Sequence, residues 1–230
     1  MKAIILAAGK ATRLLPLTKD TPQCLLKVNN KKILERQIDA LNQAGIKGII
    51  VVTGHLFGEV EKFCQGKNIK CPFNPFYEVS NMALTLWTVK DELKEEFIVL
   101  YSDVLFDSKI VKGLIKSKED ICLAIKKGEL REEAEKVIES GGIIEGINKI
   151  NEDKKNAEYI GISKFSGKGN IKLVEELDLV AKKDLNTSFI KVVDNLIKKG
   201  EKTGVYDIKD SRFIDIDFPE DLKKAEELFI

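Results

Sequence analysis

The stretch LAAGKATRLLPLTKDTPQCLLKV begins at Leu6, where the first apolar run of the chain gives way to small and basic residues. Small residues after a strand let main-chain N–H groups approach an anion, so Ala8, Gly9 and Ala11 are candidates for a phosphate cradle. Arg13 adds a fork of donors suited to phosphate oxygens, and Lys10 a mobile charge. Taken alone, these residues also fit an ordinary strand-to-loop turn with solvated charges. Carboxylates occur at two further places. Asp103 closes the apolar run EFIVLYSD, and Asp215 and Asp217 lie in FIDID, where alternation puts both on one side of a strand. By position alone Asp103 fits a strand-end turn equally well, and acids just before Pro219 also fit the start of a helix.

The elements that must position these residues alternate along the chain. KAIILA reads as a buried strand, KKILERQIDALNQAG as a helix ending at Gly45, and GIIVVTG as a second strand. VEKFCQG reads as a short helix, NIKCPFN as an edge-like strand carrying Pro72, NMALTLWTVKDEL as a helix, and EFIVLYSD as the next buried strand. Ligands of open α/β sheets collect beyond the carboxyl ends of strands, so the loops after Leu6, Val52 and Tyr101 should converge. Further on, DICLAIK and EYIGISKF read as strands, with a hairpin around Gly141-Gly142 and Gly146 between them. KLVEELDLV and SFIKVVDNLIKKG read as helices, and FIDID as a strand before a last helix opened by Pro219.

Composition narrows the function classes. The 230 residues, 43% hydrophobic and 33% charged, suit one α/β domain. The 38 basic and 37 acidic side chains nearly cancel, which argues against nucleic acid or an anionic membrane as partner and for small molecules. No segment approaches a membrane span or a signal sequence, and a cytoplasmic protein is expected. Cys24, Cys64, Cys71 and Cys122 form no C-x-x-C pair and there is one His, so the thiols read as idle.

The opening stretch resembles the signature of sugar-phosphate nucleotidyltransferases, L-A-A-G-x-G-T-R-L-x-P-L-T-x-x-x-P-K-x-L-x-x-V. ILERQIDALNQAGIKGIIVVTG, FIVLYSDVLF and FIDIDFPEDLKKAE are similar to later parts of that family. Within it, NPFYEVSNMALTLW and AEYIGISKFS look most like the small cytidylyltransferases that activate phosphocholine or 2-aminoethylphosphonate. The resemblance implies a three-layer α/β fold with a mixed, mostly parallel central sheet. It also implies one domain over 1–230, with a small acceptor lobe near 127–180. The implied chemistry is attack by an acceptor phosphate or phosphonate oxygen on the α-phosphorus of a nucleoside triphosphate, CTP in the subfamily resembled, expelling pyrophosphate.

The same resemblance assigns roles. Leu6, Ala7, Ala8, Gly9, Gly54 and Asn81 would bind nucleotide, Asn81 being equally suited to cap a helix. Asp103 and Asp217, with Asp215 beside them, would hold Mg2+. Glu158 matches an acidic position facing the acceptor and Lys136 could balance the acceptor's phosphate, both being equally readable as solvated surface charges. Trp87 and Tyr77 are candidates for an aromatic wall, with Trp87 better suited to a core. The catalytic set is Arg13, Lys10, Gln23 and Lys27. Gln23 stands where the family has lysine, so Lys10 or Lys27 is expected to take over its charge. Ala11 replaces the second glycine, which only a left-handed backbone would forbid. A hexose 1-phosphate pyrophosphorylase and a relative that binds nucleotide without turnover remain alternatives, and a homodimer is compatible with the sequence.

Overall fold

The computed structural model describes residues 1–128, 130–147 and 156–230. Its strands are β1 (Lys2–Ala7), β2 (Lys27–Val28), β3 (Lys31–Lys32), β4 (Gly48–Thr53), β5 (Ile69–Lys70), β6 (Phe97–Tyr101), β7 (Val104–Phe106), β8 (Ile121–Lys127), β9 (Lys136–Ser140), β10 (Ile143–Ile147), β11 (Ala157–Phe165), β12 (Thr203–Asp207) and β13 (Phe213–Asp215). Its α-helices are α1 (Ile33–Gln43), α2 (Phe57–Cys64), α3 (Met82–Trp87), α4 (Ser108–Ile115), α5 (Gly167–Lys183), α6 (Phe189–Lys198) and α7 (Pro219–Leu228).

Nine strands form one sheet in the order β5-β4-β1-β6-β11-β8-β12-β10-β9. β5, β4, β1 and β6 are mutually parallel, β11 runs against both β6 and β8, β12 is parallel to β8, and β10 opposes both β12 and β9. The sheet is therefore mixed, with only β11 and β10 reversed among the described strands, as expected. The continuous apolar runs of β1 and β4 follow from burial on both faces. Ile4, Leu6, Ile50 and Val52 enter a core built with α3, α5 and α6. Ala3, Ile5, Ala7, Ile49 and Val51 enter a second core built with α1, α2 and α4. Three layers result. Part of the expected acceptor lobe, residues 129 and 148–155, lies outside the described residues.

Several local readings of the sequence are realised with small changes. Gly141 and Gly142, at φ +57° and +86°, turn the β9–β10 hairpin, a conformation that costs glycine little. The helix expected over NMALTLWTVKDEL stops at Trp87 and resumes as a 3-10 turn over Lys90–Lys94. At the break the Thr88 hydroxyl donates to the Thr85 carbonyl at 2.7 Å, the kind of local bond that competes with helix continuation. No helix among the described residues is long and apolar enough to cross a membrane.

A third, smaller core brings distant parts of the chain together. Leu14, Val28, Ile33, Leu105, Ile216, Ala225 and Phe229 are buried against one another. Each of three of them sits one or two residues from a charged group singled out above: Leu14 beside Arg13, Leu105 near Asp103, and Ile216 between Asp215 and Asp217.

Candidate active site

The acids converge because of two three-residue strands. β13 pairs antiparallel with β7, placing Asp215 opposite Val104, and the Ile216 N–H donates to the Asp103 carbonyl at 3.1 Å. The turn that carries Asp103 is also held from below. Gln37 of α1, 1% exposed, donates its amide to the carbonyls of Tyr101 and Val104, both at 2.8 Å. The Asp221 carboxylate accepts from the N–H groups of Asp217 and Phe218 at 3.2 and 3.0 Å, closing the first turn of α7. Asp221 therefore supplies the helix-start carboxylate, and the side chain of Asp217 is turned to another use.

That use is Arg13. Its guanidinium donates to Asp217 Oδ1 at 2.6 Å and to Glu133 Oε2 at 3.2 Å, and it stacks 5.3 Å from the centre of the Phe218 ring. Around it lies a cavity of about 210 Å³ whose walls include Asp103, Asp215, Asp217, Glu133, Glu135 and Tyr101. The Oδ1 atoms of Asp103 and Asp215 are buried there without a hydrogen-bond partner among the described residues. Burial, with Asp215 and Asp217 nearby, pushes the Asp103 carboxyl up to about 8. Asp215 is also raised by burial, against the pull of Arg131, whose guanidinium donates to it at 2.7 Å. Glu135 is pushed up to about 7 by burial, opposed by a bond from the Tyr101 hydroxyl at 3.1 Å. Paired buried acids raised in this way are what a cation, or a proton at lower pH, relieves.

The loop after β1, expected to cradle phosphate, departs from an open glycine turn in detail. Leu6, Ala7 and Ala8 are buried while Gly9 and Lys10 are exposed, so the cradle opens at Gly9. Gly54 packs against it. A Cβ on Gly54 would lie 2.6 Å from the Ala8 carbonyl oxygen and 2.6 Å from Tyr77 Cβ, and the His55 N–H donates to Ala8 O at 3.0 Å. Ala11 adopts φ +47°, ψ +52°, the left-handed conformation that disfavours any side chain.

A match over residues 2–227 to the model of the nucleotidyl transferase family covers this whole assembly. The chain belongs to that family. Among relatives of this nucleotidyl transferase, a CTP:phosphoglutamine cytidylyltransferase from Campylobacter jejuni is 32% identical over 97% of this chain and 98% of its own. A choline-phosphate cytidylyltransferase from Streptococcus pneumoniae is 37% identical over 51% of each chain. Among solved structures, a CTP:phosphocholine cytidylyltransferase from Streptococcus pneumoniae superposes with a TM-score of 0.81 at 26% identity, covering 100% of this chain and 99% of that one.

The remaining expected residues of this nucleotidyl transferase fall in several places. Lys10 is exposed and paired with Glu78 at 2.9 Å. Gln23 turns its amide away from charge, donating to the Ile216 carbonyl at 2.6 Å and so bracing the segment between Asp215 and Asp217. Lys27 is exposed on β2 and makes no ion pair among the described residues. Asn81 caps α3, its Oδ1 accepting from the Met82 N–H at 2.7 Å while its amide donates to Asn186 at 3.4 Å. Glu158 is 1% exposed and accepts from the Arg131 N–H and Nε at 3.1–3.2 Å, so its placement departs from a solvated charge. Lys136 stands opposite Glu158 in the β9–β11 register. Trp87 packs on the first core and donates to Asp178 at 2.7 Å, away from the acids; the rings that line their cavity belong to Tyr101 and Tyr159. Arg131, Glu133 and Glu135 carry no signal of their own in the sequence, where they fall in a run of charged residues.

Proposed function

We propose that this nucleotidyl transferase is a magnesium-dependent cytidylyltransferase that moves CMP from CTP to a small phosphorylated or phosphonylated acceptor. The observation that carries the reading is the buried acid cluster at the carboxyl end of the sheet, beside Arg13 and the glycine-containing loop. The unpartnered Oδ1 atoms of Asp103 and Asp215 fit a hard divalent cation. Asp103 and Asp217 would hold magnesium, with Asp215 behind them, and the bound ion supplies charge neutralisation at the phosphates. No group of three or more carboxylate, His or Cys side chains closes on a common point among the described residues.

The protein's own part is binding and alignment. The loop that opens at Gly9, past the end of β1, would face the triphosphate, and Gly54 lets the second loop close against Ala8. An acceptor oxygen bonds to the α-phosphorus, the bond from that phosphorus to the bridging oxygen breaks, and pyrophosphate leaves. Arg13, held by Asp217 and Glu133 in the free protein, is exchanged onto phosphate oxygens and stabilises the developing charge. The cytidine preference rests on the relatives.

The test is thermal unfolding against CTP, UTP, ATP, GTP and dTTP, each with and without magnesium. At a hundred times its dissociation constant the cognate nucleotide adds about 2.7 kcal/mol. A shift given by CTP with magnesium, followed by pyrophosphate release on adding acceptor, is expected. A shift with dTTP or UTP in its place would move the reading to a sugar-phosphate pyrophosphorylase, and no shift at all would overturn it.

A further inference from the structure

Two of the thiols expected to be idle meet at the edge of the sheet. Cys64 closes α2, and the chain turns back at once, the Lys67 N–H donating to the Cys64 carbonyl at 3.0 Å. β5 then pairs with β4 as the outermost strand, and Cys71 follows it directly. Cys64 is buried in the core that α1, α2 and α4 share, Cys71 packs half-buried against that core, and the two thiols are hydrogen-bonded to each other. Both line a cavity of about 660 Å³, with Glu61, Lys62 and Lys70 among its other walls, and it shares no residue with the acid cavity. The bond between them is one-sided: Cys64 donates, which holds the Cys71 thiol below its ordinary value against burial and Glu61, and holds Cys64 above its own. Cys24 and Cys122, 2% and 0% exposed, are pushed up by burial, Cys24 to about 12. One accessible thiol is thus readied as a nucleophile, with a second in contact to capture what it forms.

We propose that Cys64 and Cys71 form an oxidative modification site, at which hydrogen peroxide converts the pair to an internal disulfide. The site needs neither nucleotide nor metal. The Cys71 thiolate sulfur bonds to one peroxide oxygen and the O–O bond breaks. The other oxygen leaves as hydroxide and takes up the proton Cys71 released, so Cys71 becomes a sulfenic acid and one water forms. The Cys64 sulfur then bonds to the Cys71 sulfur, the S–O bond breaks, and the hydroxyl leaves with the Cys64 proton as a second water. Two thiols are oxidised to one disulfide while the peroxide is reduced to two waters. The new bond fastens the end of α2 to the segment that braces the second loop. There the Pro72 carbonyl accepts from the Thr53 N–H at 2.8 Å and from its hydroxyl at 3.1 Å, and the Phe73 ring packs 4.8 Å from that of Phe57 in α2.

The experiment treats the reduced full chain with hydrogen peroxide, blocks the remaining thiols with N-ethylmaleimide, and maps the tryptic peptides by mass without reductant. Trypsin cuts after Lys67 and Lys70, so Cys64 and Cys71 fall on separate peptides. The expected result is a loss of two hydrogen atoms per chain, reversed by dithiothreitol, with the Cys64 and Cys71 peptides joined and Cys24 and Cys122 recovered as blocked free thiols. Cys64→Ala is expected to lose that bond and to leave Cys71 as a sulfenic acid that dimedone captures, with Cys24 and Cys122 unlabelled. A bond that takes in Cys24 or Cys122, or one that forms only between chains, would overturn the proposal. So would Cys71 carried to the sulfinic acid with Cys64 still free, or all the thiols recovered unreacted. The wild-type digest decides the pairing whether or not Cys64→Ala folds.

Discussion

At φ +47° the Cβ of Ala11 crowds the neighbouring carbonyl, a conformation that costs an ordinary L-residue roughly 1–2 kcal/mol and glycine little. Ala11→Gly is therefore expected to stabilise the protein by up to about 1 kcal/mol, after the extra freedom glycine gains in the unfolded chain. Calorimetry would show it as a rise of about 2–4 °C in Tm, and an unchanged or lower Tm would refute the strain. Asp103 makes the opposite bargain. Its carboxylate is buried beside Asp215 and Asp217, so Asp103→Asn is expected to raise the Tm of the metal-free protein while lowering kcat by about a hundredfold or more. A variant that loses activity and stability together would argue that Asp103 is structural. Gln23 is legible only as a departure from a pattern. Its bond to the Ile216 carbonyl, which explains what the amide does, joins residues far apart in sequence and leaves no trace in spacing.

Elements differ in how plainly they are written. β1, β4 and β6 announce themselves as apolar runs, and α1 by its period and Gly45, because each buries enough surface to need a continuous signal. β7 and β13 are three residues each, too short for any periodicity, yet their pairing is what assembles the acid cluster. The 131–135 segment is hidden for a different reason: Arg131 and Glu133 pair with groups contributed from β11, β13 and the loop after β1, and a polar run looks the same whether its partner is protein or water. Two substitutions test how elements hold the site. Gly54→Ala places a Cβ 2.6 Å from the Ala8 carbonyl oxygen and is expected to cost about 1–3 kcal/mol and raise the nucleotide KM. Gln37→Leu leaves the carbonyls of Tyr101 and Val104 without their donor, at about 1–3 kcal/mol each. If α1 positions the Asp103 turn, kcat falls as well; a loss of stability with kcat intact would show that Gln37 serves folding alone.

For the molecule as a whole, the raised acids set a direction for stability against pH. Asp103, Asp215 and Glu135 hold protons in the folded state at pH values where the unfolded chain has released them. The folded state then binds more protons, so stability is fullest below the ordinary carboxylate range and declines as pH rises toward 8. Glu92, drawn down to about 2 by Lys2 and Lys70, acts the other way and loses its contribution as pH falls below its ordinary value of 4.5. Between pH 5 and 8 the Tm of the metal-free protein is expected to fall, and Asp103→Asn to flatten that fall; a Tm rising over this range would contradict the burial of these acids. The β7–β13 pairing has one more consequence, in time. Chain synthesis proceeds at about 5–20 residues per second, so on the order of ten seconds separate the appearance of Asp103 from that of Asp217. Until then Arg13 and Asp103 have no acidic partners from the far end of the chain. On the roles proposed for them, the site is finished only when the segment just past β13 has been made.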